Sequence, residues 1–226
     1  MSMKKFKKDY PNLHKGIRYT KNAINIASKA YTMAKAIAAV VNSEKKYFDV
    51  APAAASVGTT GWLTCLSYVP QGDTNVTRNG QSIALKSVLF KPVIHWNATG
   101  DQSLRLIIFR DNDNEETIAP TIGQLLETSN FLSPRNMDNP KRFTVLYDKI
   151  FTRDTTVGYK YPKGLYKQFF NKKDYRGNPT IAQHITWTGA NGTDTARGHL
   201  YFLAIGNQDN NLPSVALYSR IRFYDN

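Results

Sequence analysis

Ser214-Val215-Ala216-Leu217-Tyr218-Ser219-Arg220-Ile221-Arg222-Phe223-Tyr224 decides the class of fold. In an extended chain Val215, Leu217, Ile221 and Phe223 fall on one side, and Ser214, Tyr218, Arg220, Arg222 and Tyr224 on the other, because successive side chains of a strand point to opposite faces. One face of such a strand belongs to a core, and the other is wet or contacts a partner. Comparable β-branched and aromatic runs, separated by Gly, Pro, Asn and Asp, occupy residues 47–50, 62–69, 83–96, 104–110, 143–152, 159–170, 181–188 and 200–205. These read as short strands punctuated by turns. A short helix is expected at 121–128, where Pro120 precedes the start and Ile122, Leu125 and Leu126 form a small apolar face. Eight or nine strands with one helix in a crossover predict an all-β sandwich or jelly roll over residues 44–226.

Composition bounds what this domain does. With 226 residues, 41% of them apolar, the chain buries one substantial core. Its formal net charge of +13 calls for a polyanionic partner, with nucleic acid first and an anionic membrane surface second. The excess sits at one end. Residues 1–46 hold eleven Lys and Arg against two acids, a net +9, whereas residues 47–226 hold nineteen against fifteen. A lone Cys65 excludes a disulfide framework and a cysteine-rich zinc site, and it reads as a small buried hydrophobe. No secretory leader is visible after Lys4, Lys5, Lys7 and Lys8, and the stretch 23–41 contains Asn25, Ser28, Lys29, Thr32 and Lys35, too polar to cross a bilayer. A soluble protein without membrane insertion is expected.

The basic end has two parts. Residues 1–20 mix Lys and Arg with Pro11, Gly16, Phe6, Tyr10 and Tyr19, and such a composition does not pack on itself. In residues 21–43, Ile24, Ala27, Tyr31, Ala34, Ala38 and Val41 recur at alternating spacings of three and four, opposite Lys21, Asn25, Ser28, Thr32 and Lys35. That is an amphipathic helix. Its narrow, alanine-rich stripe suits a close contact between helices of neighbouring subunits. Packing on its own domain and lying on a membrane surface are the other readings. Lys4, Lys5, Lys7, Lys8, Lys15, Arg18, Lys21, Lys29 and Lys35 are the candidate phosphate contacts. Such contacts do not distinguish DNA from RNA.

Catalytic chemistry finds no support. His14, His95, His184 and His199 show no paired metal spacing and read as surface or strand histidines. No nucleophile elbow, phosphate-cradling glycine loop or zinc-protease helix occurs. Asp111, Asp113, Glu115 and Glu116 begin like a calcium loop, but Glu116 stands where glycine is needed and Ile122 where the final acid is needed. The cluster reads as a solvated loop.

Leu106-Ile107-Ile108-Phe109-Arg110-Asp111-Asn112, Pro120-Thr121, Leu125-Leu126, Ser129-Asn130-Phe131 and Lys141-Arg142-Phe143-Thr144-Val145-Leu146 with Asp148 closely resemble the coat-protein family of satellite tobacco necrosis virus. Similar coats occur in small circular single-stranded DNA viruses. The resemblance implies a single eight-stranded jelly roll. It further implies a capsid protein whose copies, about sixty in the smallest icosahedral shell, form a closed homo-oligomer, with the basic helix facing inward onto a single-stranded viral genome, DNA or RNA. Such a protein belongs in the virion, passes through the host cytoplasm or nucleus, and meets an unidentified host receptor. The resemblance also implies calcium between subunits. Glu44 and Asp225 match acidic ligands, Asn79 and Ser82 match positions offering backbone carbonyls, and Asp73 matches a further carboxylate near a symmetry axis. Plain salt bridges are the alternative at those carboxylates. The competing functional class is a cellular jelly-roll binding module with a nucleic-acid-tethering basic tail.

Overall fold

A computed structural model describes residues 24–31, 44–97, 99–112, 119–153, 158–168 and 183–225. The chain divides into two units, Met1–Ser43 and Glu44–Asn226. In the first, residues 24–31 form helix α1, and all eight are exposed. The remainder of the helix expected at 21–43, and the arm at 1–20, lie outside the described residues.

The second unit runs β1 (Glu44–Val50), β2 (Ala55–Ser56), β3 (Trp62–Cys65), β4 (Ser82–His95), β5 (Ser103–Asp111), helix α2 (Ile122–Leu125), β6 (Phe143–Thr152), β7 (Tyr159–Lys160), β8 (Leu165–Gln168), β9 (Gln183–Thr186), β10 (Leu200–Gly206) and β11 (Ser214–Asp225). One sheet has the order β1-β11-β4-β7, with β2 also on β11 and β8 and β9 also on β4. The other has the order β3-β10-β5-β6. All named strand pairs are antiparallel. Strands far apart in sequence lie side by side, and the two sheets share one core, which makes a jelly-roll-like sandwich.

The alternation in β11 is realised: Val215, Leu217, Ile221 and Phe223 are buried, whereas Tyr218, Arg220 and Tyr224 are half-buried and Arg222 is exposed. The buried set joins Ile83, Leu85, Val88, Phe90 and Ile94 of β4 and meets Leu104, Leu106, Ile108, Leu200, Phe202 and Ala204 of the facing sheet. Phe90 and Phe202 touch across the interface with ring centres 5.2 Å apart. The four-stranded sheet is covered on both sides. Its other face gives Ile107, Phe109, Tyr201, Leu203 and Cys65 to a second cluster beneath Leu125 and Leu126. Two-sided burial is why β5 and β10 read as nearly continuous apolar runs.

Several elements depart from expectation, among them β2, which no expected strand covers. The strand predicted at 62–69 ends at Cys65, because Ser67 turns inward to bond the Leu200 N–H (3.0 Å). The strand predicted at 159–170 is interrupted between β7 and β8. Pro162 supplies no amide hydrogen there, and Gly164 lies so near the Phe90 carbonyl that any Cβ would overlap it. The helix predicted at 121–128 stops at Leu125, since Leu126 is already extended (φ −119°, ψ 149°) and bridges to Arg135.

Candidate functional site

Among the candidate phosphate contacts, Lys29 lies in α1 and is exposed. Lys4, Lys5, Lys7, Lys8, Lys15, Arg18, Lys21 and Lys35 lie outside the described residues.

The candidate cation ligands partly converge. Antiparallel pairing of the first and last strands sets Glu44 opposite Asp225, with the Glu44 side chain outside the described residues. Asp225 is 3% exposed and sits at a core-facing position of β11, and Lys46, also 3% exposed, sits at a core-facing position of β1. The Lys46 Nζ lies 2.9 Å from Asp225 Oδ2 and donates to Asn79 Oδ1 at 2.9 Å. The Asn79 N–H donates to the same carboxylate oxygen at 2.7 Å. Asp225 Oδ1 is buried with no hydrogen-bond partner among the described residues. Asn79 and Asp73 line one cavity with Gln71 and Gly72. Ser82, expected to offer its backbone carbonyl, begins β4 next to Ile83, the register partner of Asp225, and its hydroxyl lies 3.3 Å from His184 Nδ1.

This donor set bears on calcium. A buried ammonium already balances Asp225, and the described residues contain no group of three or more His, Cys, Asp or Glu able to hold an ion. Calcium requires six to eight oxygens. Asp225 Oδ1 is buried and the exposed Asp73 lines a cavity with Asn79, Gln71 and Gly72, so the described residues gather fewer oxygens than calcium requires.

Several buried polar residues carried no sequence signal. Arg78 is fully buried and satisfies its guanidinium on carbonyls rather than a carboxylate: Nε donates to Val69 O (3.1 Å), Nη1 to Gly80 O and Nη2 to Gly189 O. Its guanidinium carbon lies 4.4 Å from the centre of the Trp187 ring. His199, expected at the surface or in a strand, is fully buried just before β10. Nε2 faces the Thr186 carbonyl at 2.8 Å and must therefore carry the proton, leaving Nδ1 to accept from the Ser67 hydroxyl at 3.0 Å. Burial pushes the imidazole pKa down to about 4. Burial also pushes the Cys65 thiol up to about 12, consistent with an inert core cysteine.

The expectation of a solvated acidic loop is corrected at Asp111. That residue is fully buried and forms a two-pronged pair with Arg142, at 3.0 and 2.9 Å, because a carboxylate in such a place requires a charge partner. Asp113, Glu115 and Glu116 lie outside the described residues. Arg105 forms a similar fork with Asp148 at 2.7 and 2.8 Å and donates to the Phe131 (3.2 Å) and Ser133 (2.6 Å) carbonyls, tying β5, β6 and the segment after α2 together.

The sequence model of the family described as satellite tobacco necrosis virus coat protein matches residues 19–223. The chain belongs to that family. A coat protein of Satellite tobacco necrosis virus 2 is 32% identical over 140 residues, which cover 60% of this chain and 66%, just under two thirds, of that relative. Among solved structures, Desmodium yellow mottle tymovirus overlaps with a TM-score of 0.34 at 13% identity, covering 81% of this chain and 87% of that chain. Infectious bursal disease virus Gt strain overlaps with a TM-score of 0.18 at 11% identity, covering 81% and 41%. In this satellite tobacco necrosis virus-type chain, Asp111, Arg142 and Asp148, which help carry the family resemblance, form the ion pairs that brace the four-stranded sheet.

Proposed function

We propose that the chain is a capsid subunit that closes with copies of itself into a small icosahedral shell, and that residues 1–43 hold single-stranded nucleic acid inside it. The family match across residues 19–223 is the observation that carries this reading. Three further features support it. The β unit Glu44–Asn226 separates from Met1–Ser43, and the net +9 of residues 1–46 lies mostly in the smaller piece. Strand pairing is compatible with an eight-stranded jelly roll: β7, β8 and β9 all pair with β4 in successive windows and count as one position, and β2 extends the edge held by β1. An ordered sandwich with a basic extension serves a closed shell whose about sixty arms share one interior. No part of the reading requires catalysis.

The arm binds through Lys and Arg meeting phosphates, so affinity falls steeply with salt and depends little on sequence or sugar. Calcium belongs to this proposal as an ion shared between subunits, with Glu44, Asp73 and Asp225 as the carboxylates the resemblance implies and further oxygens from a neighbour. If so, EDTA loosens purified particles and calcium restores them. Particles with the same sedimentation in both buffers would leave the salt bridge of Lys46 and Asp225 as the whole of that site. The test of the arm is deletion of residues 1–20. The truncated chain should fold with an unchanged β spectrum while purified particles lose most of their nucleic acid, read as the ratio of absorbance at about 260 and 280 nm. Unchanged nucleic-acid content would refute the role of the arm.

A further inference from the structure

The seven-stranded sheet turns one face to the core and the other outward, and the outward face is not an ordinary solvated surface. Register places Asp49, Arg220, Leu89 and Tyr166 in one cross-strand row and Lys45, Tyr224, Ala84 and His184 in another. Tyr47 lies opposite Arg222, and Tyr218 opposite Lys91. Tyr47 and Tyr166 are 41% and 54% exposed, and Lys45, Lys91 and Arg222 are exposed. Asp49 fixes Arg220 through two bonds of 2.6 Å. So held, the guanidinium stands 4.9 Å from the Tyr47 ring centre and 6.0 Å from that of Tyr218. Lys86 Nζ stands 5.3 Å from the centre of the Tyr224 ring. The Tyr47, Tyr218 and Tyr224 rings are thus oriented by cations before any ligand arrives. Asp49 is the only carboxylate in these rows and is committed to Arg220, and no ion pair holds Lys45, Lys91 or Arg222 among the described residues.

We propose that this outward face binds single-stranded nucleic acid directly, as a contact separate from the N-terminal arm. Tyrosines stack on unpaired bases while Lys45, Lys91 and Arg222 meet phosphates. Charge decides among occupants. The same face of a second copy, or the chain's own basic arm, would set like charges together. A duplex keeps its bases inside the stack, and an anionic bilayer offers charge without a π face. A single strand matches both features of the surface. The inference rests on the capsid reading for the source of the strand, so particle formation is scored separately by electron microscopy for every variant.

The test titrates the full-length chain against a fluorescent oligothymidine of about 30 nucleotides, a duplex of equal length and phosphatidylserine vesicles, across a salt series. Tyr166→Ala with Tyr218→Ala leaves charge untouched and should weaken oligothymidine binding about tenfold or more, at an unchanged salt slope and with little effect on the duplex. Tyr166→Phe with Tyr218→Phe keeps the rings and should bind as the parent does. Lys91→Gln with Arg222→Gln should reduce the single-strand salt slope by roughly 1.4, about 0.7 for each contact. Parental affinity in the alanine pair together with a parental slope in the glutamine pair would overturn the proposal, as would tighter binding to vesicles than to the oligonucleotide. Ring-dependent binding by a chain that never forms particles would instead uphold this surface and contradict the capsid reading.

Discussion

Lys46 and Asp225 hold opposite charges at core-facing positions of the first and last strands, each 3% exposed, and their mutual neutralisation is what lets those strands close the sheet edge. Lys46→Met leaves a buried carboxylate with only the Asn79 amide. It should cost about 3–5 kcal/mol in urea unfolding, and Lys46→Met with Asp225→Leu should recover most of that. A double variant no more stable than the single one would show that the pair is not the source of the loss. The signal was present in the sequence, since Lys46 shares strand parity with Phe48 and Val50, and Asp225 with Phe223. Nothing in the sequence announced that the Asn79 side chain accepts from Lys46 while its amide donates to Asp225. His199 gives a second residue-level test. Its folded pKa of about 4 lies below the ordinary 6.5, so between those values the unfolded chain binds a proton that the folded chain refuses. The neutral imidazole therefore contributes its full stabilisation above about pH 6.5, and up to roughly 3 kcal/mol is lost as pH falls to about 4. His199→Gln should flatten the urea midpoint across that window, and an undiminished slope would place the acid sensitivity elsewhere.

At the scale of elements, the Arg105–Asp148 fork holds β5 to β6 and, through the Phe131 and Ser133 carbonyls, fastens the segment after α2 across the sheet. Asp148→Asn should cost about 2 kcal/mol and speed amide exchange around residues 126–136. Exchange confined to β6 would break the proposed link. Periodicity located the long strands β4, β5, β10 and β11 because each buries many side chains in regular alternation or in continuous runs, and β6 by its β-branched and aromatic content, since Tyr147 is its one buried residue. It missed β2, a two-residue segment whose existence depends on pairing with Ser214 and Val215. It overran β3, where Leu66 and Val69 are apolar and buried yet lie in a loop. Apolar content marks burial, and only hydrogen bonding decides whether a buried residue belongs to a strand.

For the whole molecule, class was legible and connectivity was not. Alternation within one strand says that a core exists, but the neighbours of β11 come from the chain's beginning and middle, as β1 and β4, and no local pattern encodes that. Resemblance supplied the jelly roll, as it supplied the candidate ligands. The basic character of the N-terminal end was legible as charge alone, since a net +9 in residues 1–46 requires no fold to be read. Buried cations such as Arg78 left no trace in composition, because a guanidinium satisfied by loop carbonyls exists only after the loops have closed. Closure into a shell is read from particle mass. With a chain mass of 25.5 kDa, about sixty copies amount to roughly 1.5 MDa, so light scattering behind size exclusion should give that mass, with uniform shells in the electron microscope. A chain that elutes as a monomer or trimer at every calcium and salt concentration would contradict the account.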